Sequence, residues 1–148
     1  MSEHFYIDSE EYVKVRLKDQ IDWYSDKSTK NKNLYYLSQG TVLFLAASIP
    51  VLACFSHLHI HIAIIIGIIG ALIVCIEGIS KMCKYHENWI QYRYVSELLK
   101  HEHYLFITKT EPYDAQNENR YNLLVEKSER IISSENINWV GINDDKKS

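Results

Sequence analysis

The sequence predicts an all-α membrane protein: one two-helix transmembrane hairpin, with long cytoplasmic helical extensions forming a small bundle. Three observations predict it. Two dense apolar runs lie within a chain of 148 residues. Lysines flank the pair of runs but are absent from the turn between them. In the polar flanks, apolar residues recur three and four apart, which is the period of a helix.

The elements follow in order. Residues 1–34 read as a cytoplasmic N-terminal helix: Asp8 and Glu11 have the spacing of a capping pair, and Val13, Leu17, Ile21 and Tyr24 fall on one face. The helix either runs on into the first span or breaks around Asp26 to Asn33. Residues 35–79 are the hairpin. Its first span, Tyr35 to Phe55, has no formal charge, and at about 1.5 Å per residue it reaches roughly 30 Å, enough for a hydrocarbon core. It begins behind a long polar segment, so it reads as a span and not a cleaved signal. Pro50 inside it removes a backbone donor and predicts a kink near the outer end, or a hinge. The second span, Ile60 to Ile79, has a single carboxylate, Glu77, near one end. A soluble hairpin apolar on all sides would need a large protein around it, so membrane insertion is expected.

Lys27, Lys30 and Lys32 precede the first span, and Lys81 and Lys84 follow the second. By the positive-inside rule both termini are cytoplasmic and the turn faces outward. No proline interrupts the chain from Val51 to Thr110, so the second span is expected to continue directly into a cytoplasmic helix. On that helix Met82, Tyr85, Trp89, Tyr92, Ser96 and Leu99 make a heptad-like seam. Thr108 to Asp114 reads as a loop around Pro112. A last amphipathic helix, Asn117 to Val140, presents Tyr121, Leu124, Ile131 and Trp139 on one side and closes the cytoplasmic region 80–140. Gly141 ends it, and residues 141–148 read as a disordered tail.

Candidate sites are few. Glu77 is the leading one, because a carboxylate inside a span is costly and marks a functional-site hypothesis. Lys81, four residues on, offers a local ion pair; a cation-attracting ring at the inner mouth of an oligomeric pore is the other reading. Ala63, Gly67 and Ala71 form a small-residue stripe, suited to the hairpin's own packing or to a subunit contact. Arg93 and Glu97 have the spacing of an intrahelical pair. His57, His59 and His61 in the turn read as an interfacial polar turn, with metal or pH sensing as the sharper alternative. Cys54, Cys75 and Cys83 form no metal-ligand spacing and read as small apolar residues, so neither metal nor cofactor is expected. No nucleophile, base and orienting group stand together, and Gly67 and Gly70 lie in a span and make no phosphate loop, which argues against an enzyme. A net charge of −3 with no basic arm argues against a nucleic-acid partner. The aromatic seam has more apolar surface than so small a bundle covers, so a homo-oligomer is expected.

The run His86-Glu87-Asn88-Trp89-Ile90-Gln91-Tyr92-Arg93, followed by Glu97, Leu98, Lys100 and Glu102, resembles the post-membrane signature of the SLATT-type two-transmembrane proteins, many of them known only as a bacterial domain of unknown function. Arg16, Gln20 to Tyr24, Pro50, Glu77-Gly78, Glu111 to Tyr113, Glu126, Glu135 and Trp139 also fit, so the similarity spans roughly Tyr6 to Val140. The resemblance implies a bacterial inner-membrane protein acting as a pore-forming effector in nucleotide-linked immunity, beside a separate sensing or nucleotide-making component. The charged positions it singles out, Glu87, Arg93, Glu97, Glu102, Glu126 and Glu135, are expected to form an ion-pair network that fixes the cytoplasmic bundle.

Overall fold

The computed structural model describes residues 11–55, 60–114 and 119–144, and of Lys14 and residues 135–144 the backbone only. Most of these residues are helical, with no strand among them. A short π-helical stretch, Tyr12–Leu17, leads into α1 (Lys18–Ala53); α2 (Ile60–Met82), α3 (Tyr85–Thr108) and α4 (Arg120–Asp144) follow. The chain divides into two compact units, one made of residues 1–27 and 91–148, the other of residues 28–90.

The first unit holds a continuous apolar core. Tyr12, Leu17, Ile21 and Tyr24 meet Val95 and Leu99 of α3, Tyr113 of the loop, and Leu124 and Ile132 of α4. They recur three, four or eight residues apart along the α-helices and five apart across the π-helical stretch, so each element buries a single stripe. Polar groups tie the stripes together. Ser96 Oγ donates to the Ile21 carbonyl at 3.4 Å. Arg16 Nε reaches Glu129 Oε1 at 3.2 Å, and Tyr12 donates to the same oxygen at 3.0 Å. The fully buried Tyr113 donates to Glu102, which Lys127 also approaches at 3.7 Å. Trp139, expected on the apolar face of α4, lies outside the residues whose side chains are described, and Asp8 outside the described residues altogether.

In the second unit α1 and α2 run antiparallel. Two hydrogen bonds fix their register, Ser38 with Ser80 at 3.4 Å and Gln39 to Glu77 at 3.1 Å, and a third ties α1 to the start of α3, Ser28 to the Trp89 carbonyl at 3.3 Å. Both helices are long and apolar enough to cross a bilayer, and their apolar windows are unburied within the chain. Leu43, Phe44, Ile60 and Val74 are each more than 70% exposed. Such surface is compatible with membrane insertion, where lipid covers it at no cost.

One alternative is decided and two expectations are corrected. α1 runs on into the apolar stretch with no break around Asp26 to Asn33, because Ser28 is buried and bonded while no Gly or Pro interrupts that stretch. The second apolar helix does not pass directly into the next. α2 stops at Met82, and Lys84 takes a left-handed backbone with φ 50°, a conformation that ordinarily favours glycine. The stop is stabilised locally: the Asn88 side chain donates to the Cys83 carbonyl at 3.0 Å and the Asn88 amide to the Lys84 carbonyl at 2.9 Å. Finally, Gly141 does not end α4, which continues to Asp144; one glycine costs a helix only about 1 kcal/mol. Residues 145–148 lie outside the described residues.

Candidate functional site

Glu77 sits on the face of α2 that meets α1. The positions half-buried there are Ile62, Ile66, Ile69, Gly70, Ile73, Ile76 and Glu77, leading to the buried Ser80. That face is apolar and, Gly70 apart, β-branched until its last turn, where the polar groups begin. Gln39 Nε2 donates to Glu77 Oε1, and one turn further along Ser80 Oγ meets Ser38 Oγ, which itself donates to the Tyr35 carbonyl at 2.8 Å. The partner of the Glu77 carboxylate is therefore a neutral amide on the other helix. Among the described residues Lys81 makes no ion pair with it, so the expected local pair gives way to a cross-helix bond. A charge-assisted hydrogen bond of this kind holds the carboxylate in a fixed place within the apolar pair.

The small-residue stripe lies elsewhere. Ala63, Gly67 and Ala71 are all exposed, and a methyl group added at Gly67 would meet nothing within 4 Å. The two helices pack through the isoleucine face instead, which leaves the stripe for a contact outside this chain or for lipid. Pro50 is exposed three residues before the end of α1. Of the turn histidines, His61 is exposed, and His57 and His59 lie outside the described residues.

At the same end as Glu77 an aromatic cluster forms. Trp89 lies 5.9 Å from His86, 6.4 Å from Tyr35 and 5.7 Å from Tyr36, centroid to centroid. Tyr35 and His86 are 4.9 Å apart. The seam foreseen on this helix is buried or half-buried from Tyr85 onward, whereas Met82, on the other side of the left-handed turn, is 85% exposed.

The charged positions divide. Glu97 is paired within α3, with Arg93 at 3.3 Å and Lys100 at 3.2 Å. Glu102 reaches α4 through Lys127. Glu87 and Glu126 are exposed and bonded to no group among the described residues, and the side chain of Glu135 is not described. The inter-helix pair with the most contacts, Arg16 with Glu129 and Tyr12, was not foreseen on the glutamate side: Glu129 is 113 residues from Arg16, and nothing local marks it. Its carboxyl is held below the ordinary glutamate range by the Arg16 hydrogen bond, with Tyr12 adding to it against burial. Burial pushes the Tyr12 hydroxyl well up, reinforced by its bond to Glu129. Tyr113 is raised in the same way, by burial and then by Glu102. Gln39, Ser38 and Ser80 were also missed; Ser38-Gln39 is a polar pair inside an otherwise apolar run, which is the signal that could have found them.

No curated protein and no solved structure matches this chain. A family model matches residues 19–121, so Arg16, Glu126, Glu129, Glu135 and Trp139 fall outside the matched segment, while Gln39, Glu77, Trp89 and Glu102 fall within it. The chain belongs to that family, described as protein of unknown function (DUF4231).

Proposed function

We propose that this chain is a bacterial inner-membrane protein of the SLATT type, which crosses the bilayer through α1 and α2 with both termini in the cytoplasm. It assembles into a homo-oligomer that conducts ions, as a channel or pore-forming effector of a nucleotide-linked defence system. The lipid bilayer and further copies of the chain are its immediate partners, with a separate nucleotide-sensing component upstream. The reading assigns it no catalytic step, no cofactor and no nucleic acid.

The observation that carries the proposal is the Gln39–Glu77 bond with Ser38–Ser80 beside it. Four polar side chains gather at one end of a helix pair whose remaining half-buried positions toward the other end are apolar apart from Ser48, which bonds back to its own helix at the Leu45 carbonyl. In a bilayer such groups are expensive and face a protein interior or a water-filled path. Glu77 and Gln39 are each only half-buried within one chain, so both keep surface for an aqueous path bounded by further copies. The stripe Ala63, Gly67 and Ala71, free on the outside, is suited to bring those copies close.

A second reading has its own support. Tyr94, Tyr104 and Ile107 on α3 are each more than half exposed, which suits a membrane-anchored scaffold whose cytoplasmic helices bind another protein. Ion flux through liposomes containing the purified protein, with and without Glu77→Gln, separates the two. A channel passes cations and changes selectivity on substitution; a scaffold leaves the vesicles sealed and copurifies with a cytoplasmic partner.

A further inference from the structure

The lysines of the helix pair form a layer. Residues 28–90 contain four lysines and no arginine, and all four (Lys30, Lys32, Lys81 and Lys84) lie toward one end. The register set by Ser38–Ser80 and Gln39–Glu77, and carried past the turn by Ser28–Trp89, places Lys84 level with Asn33 and Lys81 level with Tyr36. The four lysines therefore occupy the levels from residue 30 to residue 36 of α1, a slab of about 9 Å at about 1.5 Å per residue. One headgroup layer is about 5–8 Å deep, so the slab spans it and little more.

Tyr35, Tyr36 and His86 of the aromatic cluster lie within that slab, and Trp89, level with Ser28, stands just beyond it with its ring against theirs. Amphipathic rings in contact at this level are the mark of the membrane–water boundary. Lys30, Lys32 and Lys81 are exposed and Lys84 half-exposed, and none makes an ion pair among the described residues. Glu87 is the one carboxylate within the slab, while Glu77 stands about 6 Å further toward the apolar end, engaged by Gln39. Complementing a helix dipole accounts for Lys81 and Lys84 at the end of α2. It does not account for Lys30 and Lys32, which stand in the middle of α1.

We infer that this layer binds the phosphodiester headgroups of anionic lipid, selecting them from neutral ones. The inference rests on the membrane reading above and goes beyond orientation, which needs only the count of lysines in each loop. Each ammonium near an anionic surface contributes about 1 kcal/mol, or about fivefold in affinity.

The test places the purified full chain in nanodiscs of mixed neutral phosphatidylcholine and anionic phosphatidylglycerol. Native mass spectrometry then reads the lipids that stay bound. Phosphatidylglycerol is retained over phosphatidylcholine, and the excess declines as salt is raised. It disappears when Lys30, Lys32, Lys81 and Lys84 are all changed to Gln. Lys109→Gln is the control: this lysine shares the left-handed backbone of Lys84 but lies in the other unit, and its loss leaves the preference intact. Equal retention of both lipids by an inserted wild-type chain overturns the lysine layer and leaves the membrane reading standing. A chain that does not enter the discs overturns both.

Discussion

Gln39 of α1 donates its side-chain amide to the Glu77 carboxylate of α2 at 3.1 Å, across a helix contact that is otherwise built largely of isoleucine. The bond fixes the register of the pair and gives the single acidic group of α2 a neutral partner. Gln39→Leu and Glu77→Leu should each destabilise the helix pair, while the double substitution should cost less than their sum. Cross-helix bonds of this kind in membranes couple by about 0.6–2 kcal/mol. Unfolding in detergent, measured for all four species, checks it; strict additivity would mean the bond contributes nothing.

Ser128 is fully buried in α4 and its hydroxyl has no hydrogen-bond partner among the described residues. Ser128→Ala removes an unpaired polar atom without opening much space, so the chain should gain up to about 1 kcal/mol. Ser128→Val should instead lose about 1–3 kcal/mol by overpacking. Thermal melting of the two variants reads opposite signs.

The Arg16–Glu129–Tyr12 cluster makes stability depend on pH at both extremes. Glu129 has a folded pKa below its unfolded value, so its contribution is present above the ordinary glutamate range and fades as pH falls through the folded value. Both Tyr12 and Tyr113 have raised values, so theirs is present below about pH 10 and is lost as pH rises further. The acid limb is modest, about 0.2–1 kcal/mol, because Arg16 and Glu129 are half exposed. Melting curves of Glu129→Gln should show a flatter acid limb than wild type, and Tyr12→Phe a flatter alkaline one.

Lys84 and Asn88 shape the stop between α2 and α3. Lys84→Gly relieves a left-handed residue and should raise stability by about 1 kcal/mol, while lowering any preference for anionic lipid. Asn88→Ala strips the Cys83 carbonyl of its side-chain donor and should cost about 1 kcal/mol. Stability and lipid binding thus move in opposite directions at Lys84, which a purely structural lysine would not do.

What the sequence disclosed follows from how local each feature is. Leu17, Ile21 and Tyr24 are buried together because helical periodicity alone puts them on one face. The same holds for Leu124 on α4. Arg93–Glu97 was legible because four residues along a helix suffice to make the pair. The stop at Lys84 was not, since no Gly or Pro marks it and the side chain that stabilises it lies five residues beyond the carbonyl it meets. Glu77 was found by its charge, but its partner was not, because choosing Gln39 over Lys81 requires the register of two antiparallel helices. Register also decided the small-residue stripe. Close packing through Gly67 and packing through Ile66 and Ile73 differ only by rotation of α2, and a sequence does not record rotation.

The most direct test of the proposed function is cation flux through liposomes containing wild-type protein or Glu77→Gln, measured with insertion verified for both. A conducting wild type whose cation preference falls on neutralising Glu77 is the predicted result. Inserted wild-type protein that stays impermeable to ions in every condition tried, or that conducts identically without the carboxylate, would contradict it.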